Sequence, residues 1–200
     1  MSFDHWWYSC LLTPEQENEL EPLFMAAQSK AVLSAEHEEA LRSWESHGER
    51  FDMTRPEERF ELAQRYNSFV WAFNLPGYDE LGETATNYLN DEACARFISL
   101  GRCSPGAVLW QSLGRARAER LPGRMGNLFV RAGEVDAALK QADLAMAGLD
   151  MEAAIARGME LAGHSNAVGA VTEVITHLQD GLRDASARKQ GFMAVARPQM

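Results

Sequence analysis

The chain has little of what small exported scaffolds and metal modules are built from: three cysteines in 200 residues, Cys10, Cys94 and Cys103, odd in number and at no CxxC spacing. That excludes a disulfide framework and a zinc ribbon, and leaves reduced, buried thiols as the expectation. Lysine is almost absent, with 3 against 16 arginines, which together with abundant alanine is the usage of a GC-rich bacterial genome. Positive charge as a whole is short. The 19 basic residues face 29 acidic ones, a formal charge of -10, which repels phosphate backbones and anionic lipid and favours a basic protein partner over nucleic acid or membrane. No uninterrupted apolar run approaches membrane-spanning length, and the opening Met1 to Tyr8 has neither a basic leader nor a small-residue cleavage site. A cytoplasmic protein is expected.

What is present is the composition of a folded globular domain, 46% hydrophobic and 24% charged. No pair of alternating apolar runs flanks an Asn-Gly or Asp-Gly turn, so the expected fold is all-α, a compact bundle of about eight or nine helices with αα-hairpins. The punctuation is explicit. Thr13-Pro14-Glu15-Gln16 supplies an N-cap, a first-turn proline and a capping-box glutamine, with Pro22 expected to break or kink that helix after one or two turns. Ser34 opens a segment to about His47, with His37, Leu41 and Trp44 on one face, and Thr54-Arg55-Pro56-Glu57 opens the next. Asn90 is expected to cap a short helix stopped by Gly101, and Ser104-Pro105 to begin one that runs to Leu121. Further helices are expected over 124–131, 134–147, 151–161 and 165–189. Residues 1–200 form one domain in this reading: an acidic half 1–100, a near-neutral Ala/Arg-rich half 101–190 and a frayed C-terminus 190–200.

Charge is unevenly shared. Residues 1–100 hold 19 acids and 7 bases, net -12, and residues 101–200 hold 10 acids and 12 bases, net +2. Glu15/Glu19 and Glu17/Glu21 are like-charge pairs at i, i+4, and Glu38, Glu45 and Glu49 make a stripe, each repulsion costing roughly 0.2–0.5 kcal/mol in a lone helix. Placement in first turns, where carboxylates complement the helix dipole, explains about half of them. The remainder is a standing negative field of the kind that steers basic partners. The arginines at 102, 115, 117, 120, 124 and 131 are the one basic concentration; with no interleaved aromatics to stack bases, ion pairs to the acidic half are the expected use.

Catalytic motifs fail on context. Gly163-His164-Ser165-Asn166-Ala167 resembles a nucleophile elbow but lacks the last glycine and follows a helical pattern, so Ser165 reads as an N-cap with His164 in the loop before it. His5, His37, His47, His164 and His177 include no pair at i, i+3 or i, i+4, and neither a P-loop nor a dinucleotide fingerprint occurs. No catalytic residue, metal or cofactor is expected.

Gly126-Asn127-Leu128-Phe129, Gly133, Ala138-Leu139, Ala145 and Asp150 resemble a single tetratricopeptide repeat, which implies an αα-hairpin over that stretch. Pro122 and Asp150 depart from its pattern, and no second copy follows. Trp6, Trp7 and Tyr8 precede the first clear helix start; such residues are enriched at interface hot spots. In size, acidity and absence of catalytic motifs the chain resembles the acidic bacterial immunity proteins that neutralise interbacterial toxins. That resemblance implies a non-enzymatic protein that occludes the active site of a basic cognate toxin. Trp6, Trp7 and Tyr8 are the candidate anchors and Glu36, Glu38, Glu39, Glu45 and Glu49 the candidate rim. The alternatives are a helical adaptor or scaffold using the repeat-like hairpin and, more remotely, a hydrolase built on Ser165 and His164.

Overall fold

A computed structural model describes residues 4–30, 35, 39, 42, 81, 84, 95–100, 103–124, 126–162 and 167–199. The expectation of an all-α bundle is overturned: the described residues form a mixed α/β fold on a four-stranded antiparallel sheet. The strands are β1 (Asp4–Leu12), β2 (Ala95–Ser99), β3 (Leu128–Val130) and β4 (Gly191–Gln199), in spatial order β2-β1-β4-β3. Six described helices accompany it: α1 (Pro14–Lys30), α2 (Pro105–Leu113), α3 (Arg115–Ala118), α4 (Val135–Met146), α5 (Met151–Ala162) and α6 (Val168–Arg188).

The sheet escapes a search for hairpins because no strand is joined to its neighbour by a tight turn. β1 pairs with β4 from Asp4↔Gln199 to Leu12↔Gly191, across nearly the whole described chain, and with β2 from Trp6↔Ser99 to Cys10↔Ala95. The segment expected to fray is therefore a central strand. β1 and β4 are covered on both faces, so they show the near-continuous apolar run of a buried strand in place of alternation. The helices expected over 124–131 and before Gly101 are replaced by β3 and β2. Gly123 and Gly126, both at positive φ, and the Arg124↔Asn127 bridge turn the chain into β3. Residues 126–150 accordingly hold a strand, a 3-10 turn at Ala132–Glu134 and one helix, not an αα-hairpin.

Alternation along β1 builds two cores. Tyr8, Cys10 and Leu12 meet Met193, Val195, Leu81 and the Leu20 and Phe24 side chains of α1. Trp7 and Leu11 face the opposite way with Ile98, Phe192 and Ala194. There α2 and α6 touch the sheet, α5 packs on both of them and α4 lies beside α6. The capping box of α1 forms as read, with Thr13 N–H donating to Gln16 Oε1 at 2.8 Å and Gln16 N–H to Thr13 Oγ1 at 3.4 Å. Pro22, expected to break or kink α1, does not end it but lies inside it on the exposed side, where water can serve the Asn18 carbonyl that it leaves without an N–H. Ser104 caps α2 through Ala107 N–H at 3.4 Å, but Gly114 at φ +73 ends that helix eight residues before the expected stop at Leu121–Gly123 closes.

Candidate functional site

Strand geometry decides the fate of the N-terminal aromatics. Successive side chains on β1 point to opposite faces, so Trp6 and Tyr8 share one side and Trp7 takes the other. Trp7 is 0% exposed. Its Nε1–H donates to Gly126 O at 2.9 Å, and a Cβ on Gly126 would sit 3.0 Å from its Cζ2, so at φ +87 this turn is a place for glycine. Trp7 is thus a structural residue of the inner core and offers nothing to a partner. Tyr8 is also buried, at 5%.

Trp6 remains half-buried. It meets Phe97 of β2 edge-on, with ring centroids 6.4 Å apart and planes at 89°, and Phe97 lies 6.4 Å from the Tyr8 ring as well. Phe97 is 48% exposed on a strand whose outer side pairs with nothing among the described residues. Single exposed apolar residues need no explanation, but an exposed aromatic on an edge strand, backed by a half-buried indole on the next strand, is a surface that most proteins cover or charge. Phe97 was missed in the sequence because Arg96-Phe97-Ile98-Ser99-Leu100 was read as helix. Its order, polar-apolar-apolar-polar-apolar, does not alternate, so no sequence signal marked Phe97 as the one left outside.

Of the acidic rim, Glu39 is described: it is helical and exposed, and pairs with Arg42 at 3.1 Å. Glu36, Glu38, Glu45 and Glu49 lie outside the described residues, as do His164 and Ser165. The carboxylates of α1 are divided. Glu17, on the buried stripe with Leu20 and Phe24, accepts from Ala132 N–H at 2.8 Å, and Glu21 pairs with Arg131. The Arg131 guanidinium holds the Glu21 carboxyl below its usual range, and the pair raises the arginine in return. One member of the basic concentration therefore meets the acidic half as expected. Arg117 has another use, donating to the Ala145, Ala147 and Gly148 carbonyls at 2.9, 2.8 and 3.2 Å at the end of α4. Glu15 stays exposed, and hydrogen bonds from its own backbone and from Thr13 keep its pKa low.

On the inner face the notable group is His177, 1% exposed within α6 and 4.6 Å from the Trp7 ring centroid. Burial first, and Arg96 second, push its pKa from 6.5 to about 4 against the opposing pull of Asp180. At neutral pH it is an uncharged core side chain. Among the described residues no group of three or more His, Cys, Asp or Glu side chains could hold a metal ion, and no helix is long and apolar enough to cross a membrane. No family model, curated protein or solved structure matches the chain.

Proposed function

We propose that the protein is a non-catalytic, cytoplasmic binding protein that docks on and inhibits a basic protein partner, in the manner of an immunity protein blocking a toxin's active site. The observation that carries this reading is the exposed Phe97 on the outer strand β2, packed edge-on against the half-buried Trp6 of the neighbouring strand β1. Large rigid aromatics lose little conformational freedom on docking and supply most of the energy of such interfaces. The charge surplus supplies the partner's sign: residues 1–100 carry 19 acids against 7 bases, and Glu15 and Glu39 remain exposed after Glu17 and Glu21 are spent internally. A field of this sign speeds encounter with a basic surface and discourages nucleic acid and anionic lipid. Glu36, Glu38, Glu39, Glu45 and Glu49 form the rim in this proposal, and Trp6 with Phe97 the anchor.

The test is neutralisation. The product of the reading frame beside the gene is expressed alone and together with this protein, and growth and complex formation are followed. The expected result is rescue of growth and a complex whose association rate falls at least about tenfold between about 50 and about 500 mM salt. Trp6→Ala with Phe97→Ala should weaken it by a further factor of about ten or more. A complex indifferent both to salt and to that double substitution would end the proposal.

A further inference from the structure

Helix α6 meets the sheet with one titratable side chain in its buried face. His177 lies among Val174, Ile175 and Leu178, all buried, with the Trp7 ring tilted at 53° against it. Neither Nδ1 nor Nε2 has a hydrogen-bond partner. Such an imidazole is tolerable while it is neutral; as a cation it would carry two unanswered donors against an indole in the core. From β1 its neighbour is the uncharged Trp7. From β2 comes Arg96, which opposes a second positive charge, and that guanidinium is already held by Asp184 of α6. From α6 itself comes Asp180, at i+3, the one neighbour that favours the charged ring. Asp180 is partly exposed and already paired with Arg183 of the same helix at 3.1 Å, so it gives the seated ring a weak pull and no hydrogen bond.

We propose that His177 is an acid-sensitive latch between α6 and the sheet: neutral, it lets the C-terminal half of α6 lie on β1, and protonated, it drives that half off the sheet. The sign follows from where the proton binds better. An exposed ring takes it at 6.5 and the seated ring at about 4, so the closed arrangement is at full strength above pH 6.5 and weakens as the pH falls toward 4. The open-to-closed ratio then rises about 30-fold between about pH 7.5 and about pH 5, levelling off near 300-fold below pH 4.

Hydrogen exchange on the full chain tests this. In the wild type, protection of amides 177–188, corrected for intrinsic rates, should fall about 30-fold over that interval while α2 keeps its protection. His177→Phe, an uncharged ring of similar size, should hold its protection constant. Equal losses in wild type and variant, loss spread uniformly over the molecule, or no loss in the wild type would each overturn the latch. If His177→Phe does not fold, ring titration in the wild type decides. A ring that resists protonation toward pH 4 and gives up the buried emission of Trp7 as it charges supports the latch. A ring that titrates near 6.5 with that emission unchanged refutes it.

Discussion

Gly181→Ala is the sharpest probe of whether α6 really lies on β4. Alanine normally stabilises a helix interior by about 1 kcal/mol relative to glycine. Here a Cβ on Gly181 overlaps Cε2 and Cζ of Phe192, and the next ring atom, Cδ2, is only 3.3 Å away. Phe192 is buried and locked in the inner core, so its ring has no free side to move toward, and overpacking of this kind costs about 1–3 kcal/mol. The net expectation is a loss of up to about 2 kcal/mol, or a melting temperature lower by up to about 8 °C for a chain of this size. Gly169, in the first turn of the same helix, has nothing within 4 Å of its Cβ position. Gly169→Ala should therefore be neutral or stabilise by up to about 1 kcal/mol. Urea unfolding followed by circular dichroism measures both variants against the wild type, and Phe192→Leu in the Gly181→Ala background should recover part of the loss through a non-additive cycle. If Gly181→Ala stabilises as Gly169→Ala does, no ring stands behind Gly181 and the packing of the C-terminal strand under α6 is wrong.

Three further outcomes can be measured with the same unfolding assay. Thr13→Ala removes one half of the reciprocal cap on α1 and should cost about 1 kcal/mol. Glu17→Ala leaves Ala132 N–H without its acceptor beside a filled core and should cost about 1–3 kcal/mol, while Glu17→Gln, which keeps an acceptor oxygen, should cost less. Deleting Gly191–Gln199 takes out a strand paired on both sides, and the shortened chain should show no cooperative transition at all; a truncated protein that still melts sharply would contradict the sheet order.

Local signals in the sequence were legible where one residue type has one use. The Thr13 to Gln16 box and the Ser104-Pro105 start follow from their capping residues, and α4, α5 and α6 from 3.6-residue spacing within a few residues of their expected bounds, although the N-cap of α6 is Ala167 and not the expected Ser165. The sheet was not legible, for three separate reasons. Burial on both faces erased the alternation in β1 and β4, the strands are joined by helical excursions and not by tight turns, and β3 is only three residues long. Pro22 did not break α1, and the apolar spacing Leu20, Phe24 and Ala27 already placed it on the opposite, solvent side, where a proline is tolerated best. The Trp6-Trp7-Tyr8 run was read as a set of anchors, yet the strand's two-residue period sends Trp7 to the inner core, and of the two rings on the other side Tyr8 is buried and Trp6 half-buried. Phe97 and His177 owe their roles to neighbours far away in the chain: Trp6 for the one, Trp7 for the other.

The pairing of β1 with β4 also sets the order of events at the ribosome. In a nascent chain the apolar strand Trp7 to Leu12 emerges well before the segment that hydrogen-bonds along its whole length, which follows about 180 residues later. Until then that strand has an unmet edge and a greasy surface in a crowded compartment, the condition under which partly made chains stick to one another or recruit chaperones. Local helices such as α4 and α5 can form early, but closure of the sheet is a late, long-range event, and slow refolding with sensitivity to protein concentration is the behaviour that this topology carries with it.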